Sequence, residues 1–376
     1  MGSSETSRRG AARRGVVARS SAFLLVAAAA LATPGCAGSQ KYAYGVDELR
    51  AEIRRRAPEL PPDAVVVPFD VDPATVEIAR RATKPYSNRE DQVRALVELM
   101  FSGAGYALSY APVVTTTARE TLATHKGNCL ALASVFVGVA RALGLKAYYL
   151  DASARLTETT QPSPGIVVNS GHITAYVDLD KIRWYLDFDH TLAGTNRFRV
   201  IDDLEATAHF YNNRGYERIE MARLEDKPVD WVAAEKDFTL ATHVVPAFAR
   251  AWNNLGIART HVGDLEGAET AYREAIHADP KSPAAYNNLG GLLLRTGRAE
   301  DAVTMMREAV QLDPDSAYAH FNLGRALLAT GDTDGARRAL EKAARMRDVN
   351  AQRMLSKLDL YPAPVLSPRN APAPKR

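Results

Sequence analysis

The most regular pattern of apolar and polar positions lies in the C-terminal part of the chain. Trp252-Asn-Asn-Leu255-Gly256, Tyr286-Asn-Asn-Leu289-Gly290 and His320-Phe-Asn-Leu323-Gly324 follow one another at a step of 34 residues. Ala268, Ala302 and Ala336 keep the same step, as do Ala275, Ala309 and Ala343. Pro280 and Pro314 close two of these units, and Asp348 stands where a third proline would fall. A fixed period of this length marks stacked helical pairs, each burying its apolar face on the next. The pattern can be traced once more upstream, in Tyr211-Asn-Asn-Arg-Gly215 and in Ala234, Phe238, Ala241 and Pro246. Gly215 precedes Gly256 by 41 residues, which predicts a divergent repeat over 208–248 with about seven extra residues near Glu225 to Pro228. Three regular repeats then span 249–350.

The N-terminal half has a different pattern. Val46–Ala57 and Pro73–Thr83 have helical spacing, the second with proline at its first position. Ser87-Asn88-Arg89-Glu90 and Thr117-Ala118-Arg119-Glu120 have the capping-box spacing, which predicts two further helix starts. The apolar run Leu130 to Leu143 predicts a helix opened by Cys129 and stopped by Gly144. Lys146–Ala152, Ile166–Leu179 and Ile182–Phe188 are rich in Val, Ile and Tyr and predict strands, the last two as a hairpin turning at Asp180-Lys181. Helices followed by an antiparallel sheet predict an α+β domain over 46–205. The Pro- and Ala-rich stretch 362–376 predicts a disordered tail.

Charge changes the picture only at the N-terminus. Lys and Arg outnumber Asp and Glu by 47 to 44, a net +3. Residues 1–35 hold five arginines and one glutamate, or +4, which leaves −1 for the rest. That balance predicts no nucleic-acid partner. Arginines ahead of the apolar run Ala22–Ala32 predict an export signal over 1–35. Leu31-Ala32-Thr33-Pro34-Gly35-Cys36 resembles a bacterial lipoprotein cleavage box, with Cys36 as the lipid-modified residue. The resemblance implies a membrane partner through a lipid anchor, at the periplasmic or extracellular face of the cell envelope. Cleavage after Ala32, giving a secreted soluble chain, is the alternative.

With Cys36 acylated or removed, Cys129 has no partner in an oxidising compartment, so a chemical role is its best explanation. A cysteine at a helix N-terminus gains thiolate character from the helix dipole. His172 opens the predicted strand Ile173–Leu179, and Asp187 closes the next, so a hairpin would bring them together as base and orienter. Asp189 is the alternative orienter and His125 a weaker alternative base. The Cys129 amide would serve an oxyanion, and Asn128 is a guess for the second donor. The eight histidines show no metal-ligand spacing and no phosphate loop occurs, so no cofactor is expected.

Gly127-Asn128-Cys129 followed by Leu-Ala-Leu-Ala-Ser-Val-Phe and Ala-Arg-Ala-Leu-Gly-Leu resembles the core of the transglutaminase-like superfamily, over roughly residues 85–190. That resemblance implies a papain-like cysteine protease fold and a triad of Cys129, His172 and Asp187, acting as a peptidase, amidase or acyltransferase through an acyl-thioester. The chain departs from the family with Thr174 where an aromatic is usual, and with Phe188 after Asp187 where proline is usual. The 34-residue units resemble the tetratricopeptide repeat, implying an all-α solenoid after the α+β domain. Asn213, Asn254, Asn288 and Asn322 share one repeat position. In some such arrays these form a ladder that binds the backbone of an extended peptide. The competing reading is that they tie neighbouring helices together. The function expected is an exported cysteine enzyme whose repeat groove holds a protein or peptide. A non-catalytic envelope scaffold built on the repeats is the alternative.

Overall fold

The computed structural model describes residues 42–58, 60, 65–152, 173–180, 183–188 and 199–360, and the backbone of 24–28. Four helices precede the sheet: α1 (Val46–Arg56), α2 (Pro73–Thr83), α3 (Arg89–Phe101) and α4 (Ala118–Thr124). Asp72 caps α2 by accepting from Thr75 N, and the Thr117–Glu120 capping box opens α4 with both of its hydrogen bonds. At α3 the cap is Asn88, which accepts from Asp91 N, and not the Ser87–Glu90 box. Asn at N-cap satisfies the same orphan amides from one residue further along.

The fifth helix, α5 (Cys129–Ala142), is the centre of the first domain. Every residue from Cys129 to Ala140 is buried, as expected of a helix that is apolar all round. Gly138 lets the chain at Phe69 press on it; a Cβ there would lie 2.2 Å from the Phe69 carbonyl oxygen. Helix α5 ends at Ala142 with Leu143 as its C-cap, and Gly144 follows at φ +79°.

The main sheet contains β1 (Leu24–Ala28), β4 (Lys146–Asp151), β5 (Ile173–Asp178), β6 (Arg183–Asp187) and β7 (Arg199–Ile201), in the order β1-β6-β5-β4-β7. All pairings are antiparallel. A short parallel pair, β2 (Ser109–Tyr110) with β3 (Lys126–Gly127), leads into α5. The β5–β6 hairpin matches the predicted one, with Asp178 opposite Arg183. Asp180 in its turn adopts φ +68° and pairs with Lys146 at 2.7 Å. Strand β1 comes from the run expected as an export signal: Leu24 pairs with Asp187 and Ala28 with Arg183. A short apolar segment suits an outer strand as well as a signal core. Cleavage at either expected point would remove this strand and leave β6 as the edge.

Two bonds fix the direction of α5 on the sheet. The Tyr149 hydroxyl donates to Ser134 Oγ at 2.9 Å, and Arg141 Nε donates to the Ala147 carbonyl at 2.8 Å. Early helix meets late strand, so α5 runs antiparallel to β4, and its N-terminus lies at the end of the sheet where β4 finishes.

Helix α6 (Asp203–Leu224) crosses the boundary expected between 205 and 208 without a break. Its first half, Leu204 to Tyr211, packs in the core of the first domain, and Ile219 packs with Ala234, Phe238 and Leu255. One helix therefore belongs to both modules, because its apolar residues serve two cores in turn. Its start is anchored by Asp203, which accepts from Arg141 at 2.7 and 2.9 Å and from Tyr44 N at 2.8 Å. Burial pushes the Asp203 carboxyl up, and Arg141 opposes that.

The repeats are α6 with α7 (Trp231–Val244), α8 (Ala249–Val262) with α9 (Leu265–Ala278), α10 (Pro283–Arg295) with α11 (Ala299–Leu312), and α12 (Ala317–Ala329) with α13 (Thr333–Arg345). In each pair one glycine of the first helix faces one large residue of the second. These are Gly215 on Phe238, Gly256 on Tyr272, Gly290 on Met306 and Gly324 on Leu340. Those partners keep the 34-residue step through the divergent repeat. Its seven extra residues are shared between a longer α6 and the loop 225–230, where a loop alone was expected. A last helix, α14 (Val349–Leu360), covers the end of the array through Ala351, which packs on Leu340 and Ala343. Among the described residues no helix is long and apolar enough to cross a membrane.

Candidate functional site

Cys129 is the first residue of α5 and is 6% exposed. Asn128 caps the helix: its Oδ1 accepts from Ala131 N at 3.0 Å and its Nδ2 donates to Thr115 Oγ1 at 2.8 Å. The first intrahelical bond runs from Leu132 N to Asn128 O. The amides of Cys129 and Leu130 are thus the ones that neither the cap nor the helix uses. Asn128 donates its backbone N–H to the Val114 carbonyl at 2.7 Å and one side-chain N–H to Thr115, so its observed role is that of a cap.

His125, the weaker alternative base, is engaged elsewhere through one ring nitrogen. It is the C-cap of α4 at φ +58°, and its Nδ1 lies 2.7 Å from the Tyr106 carbonyl oxygen. The left-handed conformation of His125 ends α4 as a C-cap, a place where helices commonly adopt it.

The strands converge on the same end of the sheet as the head of α5. Asp151 closes β4 opposite Ile173, the first residue of β5. Asp187 is the last residue of β6, next to Leu186, which pairs with Ala175. His172 immediately precedes β5 in the chain but lies outside the described residues, as do Asp189 and the candidate lipid-bearing Cys36.

The loop before Cys129 is also held by the repeat module. Glu217 on α6 accepts from Thr115 N at 2.7 Å, and Thr115 in turn accepts from Asn128. Burial raises the Glu217 carboxyl, which the Thr115 bond opposes. This link is invisible in the sequence, where Glu217 reads as one more charged helix residue.

The asparagines of the array form a ladder between repeats. Asn254 Nδ2 donates to Asn212 Oδ1 at 2.9 Å, Asn288 Nδ2 to Asn253 Oδ1 at 2.9 Å, and Asn322 Nδ2 to Asn287 Oδ1 at 3.1 Å. Each rung joins the second asparagine of one repeat to the first of the preceding repeat, an arrangement that ties neighbours together. Asn213 is buried beside Asn212 in α6. Asn288 and Asn322 also line a cavity of about 200 Å³ with Arg295, Arg325, Tyr272 and Tyr318. Asn213 and Asn254 do not line it, so Asn288 and Asn322 serve as ties and face the groove, whereas Asn254 serves as a tie.

A second cavity, about 460 Å³, lies where the sheet meets the first repeats. Asp151, Glu205 and His209 line it, with one donor atom of each within 4.8 Å of the other two. Burial first, and then the Arg250 charge, lower His209 to about 3, so its ring is neutral. Sequence reading missed this group because Asp151 is far from the other two along the chain. Glu205 and His209 at i and i+4 were the available signal, but that spacing is common on helices.

An α+β domain with a buried cysteine at the head of its central helix, continued by a solenoid of helical pairs, is the class of protein defined by this fold. Residues 76–187 match the family model of the transglutaminase-like superfamily. Residues 230–283, 262–317 and 287–351 match that of the tetratricopeptide repeat. The chain therefore carries a transglutaminase-like domain followed by tetratricopeptide repeats. No curated protein matches it. Among solved structures it is similar to the crystal structure of MamA (19% identity, 39% of this chain and 81% of that chain, TM-score 0.34). It is also similar to a MamA RS-1 ArsTM double mutant (18%, 41% and 84%, TM-score 0.35). A third similar structure is the first TPR of Spaghetti (RPAP3) bound to an HSP90 peptide (21%, 30% and 90%, TM-score 0.29).

Proposed function

We propose that this is an exported, lipid-anchored cysteine enzyme that cleaves or exchanges amide bonds through an acyl-thioester. Cys129 attacks the carbonyl carbon, His172 takes its proton and returns it to the leaving amine, and Asp187 orients the imidazole. Water or an amine then releases the acyl group. The amides of Cys129 and Leu130 are placed to receive the oxyanion. The repeats hold a protein or extended peptide as substrate or as docking partner. Cys36 carries the lipid that keeps the protein at the envelope. The observation that carries the reading is Cys129 at the capped head of α5, at the sheet end where β5 begins and β6 finishes.

The test is iodoacetamide labelling of Cys129 as a function of pH, in the wild type and in His172→Ala. An ion-paired thiolate labels well below the free-thiol pKa of about 8.5, and the variant loses that reactivity. An ordinary thiol profile, unchanged by the variant, would sink the enzyme reading.

A further inference from the structure

We propose that Asp151, Glu205 and His209 bind a divalent first-row transition metal ion, of the zinc or manganese class, where the sheet joins the first repeat. The three come from two elements only, the end of β4 and one face of α6, and their donor atoms already lie within 4.8 Å of one another. Around a common ion, with bonds of about 2.0–2.2 Å, these atoms need to draw only slightly closer.

The second observation is His209 itself. It is 1% exposed, it lines the cavity, and its Nδ1 has no hydrogen-bond partner among the described residues. Buried polar atoms are seldom left unsatisfied, and one that is calls for a ligand. Phe248 packs against the ring at 4.4 Å and holds it in place. One imidazole with two carboxylates suits zinc, manganese or iron(II), whereas magnesium and calcium favour all-oxygen sets. The ion would keep a coordination position open to the cavity, whose lining also includes Arg250, Asn253 and Asp279 of the repeats.

Arg199 is the competitor for this site. Its guanidinium pairs with both Glu205 and Asp151. Its side chain is 58% exposed, so it can swing into water when an ion takes the carboxylates. Removing the arginine therefore frees both carboxylates for the ion.

The experiment is calorimetric titration of the full chain with Zn²⁺, backed by the visible absorption of a Co²⁺ complex. The expected result is one ion per chain, at least tenfold weaker binding in Glu205→Gln, and several-fold tighter binding in Arg199→Ala. Glu205 is partly exposed and Gln keeps its size, so its variant keeps the fold even if His209→Ala does not. A lack of stoichiometric binding, or binding unchanged in Glu205→Gln, would overturn the proposal. So would binding lost in Cys129→Ser, which would assign the ion to the thiol.

Discussion

The two modules are built on opposite plans. The first domain hangs on one helix, α5, buried along almost its whole length and gripped by segments far from it in the chain, from Phe69 to Tyr149. The array is a chain of near-equivalent pairs, each closed internally at the same glycine and joined to its neighbours through the same asparagines. Damage in the first module should spread through it, and damage in the second should stay local, as in a one-dimensional stack. Helix α6, which belongs to both cores, and the Glu217–Thr115 bond are the places where this contrast must fail.

The largest effect should come from placing the same change in each module. Gly138→Ala puts a methyl 2.2 Å from the Phe69 carbonyl, and overpacking of this kind costs about 1–3 kcal/mol. That exceeds the gain of up to about 1 kcal/mol from helix propensity, so the first domain is destabilised. Gly291→Ala on α10 meets nothing within 4 Å and should stabilise the array by about 0.5–1 kcal/mol. Denaturant unfolding of both variants, followed by Trp fluorescence and circular dichroism, checks the sign. Two changes of equal sign would break the comparison.

A middle-sized effect is expected at the ladder. Asn288→Ala removes the donor to Asn253 Oδ1, which is buried. Loss of a buried hydrogen bond of this kind costs about 0.5–1.5 kcal/mol. The loss should appear in the α8–α11 region by hydrogen exchange, with protection of α5 amides unchanged. Loss of protection in α5 would show that the array and the domain unfold as one unit.

The same contrast explains what could be read from the chain. The array was legible because its chemistry is periodic: Ala268, Ala302 and Ala336 recur at 34 residues, and Ala234 keeps that step even where the first helix is longer. The hairpin, the Cys129 helix and its stop at Gly144 were legible from local signals. Contacts that join distant residues were not. Glu217 reaching Thr115, Asp203 locking Arg141, and His209 meeting Asp151 each need the fold to exist first. The asparagine ladder lay between these cases. Its spacing was visible, but only the structure shows that each rung uses Asn212, Asn253 or Asn287 as the acceptor.

The smallest effect should be a pH dependence confined to the array. His261 on α8 stacks on Trp231 of α7, with ring centroids 3.9 Å apart and planes 4° from parallel. Burial foremost, and then Arg295, lower its pKa below the ordinary 6.5. As pH falls through that value the unfolded chain takes up the proton before the folded one, so stability declines toward lower pH. Above it both states are neutral at this residue and the contribution is complete. Thermal melts of the array should therefore shift down between pH 7.5 and 5.5. His261→Phe, which keeps the stack but cannot titrate, should narrow that shift while leaving the melt at pH 7.5 nearly unchanged. An equal shift in the variant would place the acid sensitivity elsewhere, and the first domain, where His209 is buried, would then be the region to probe.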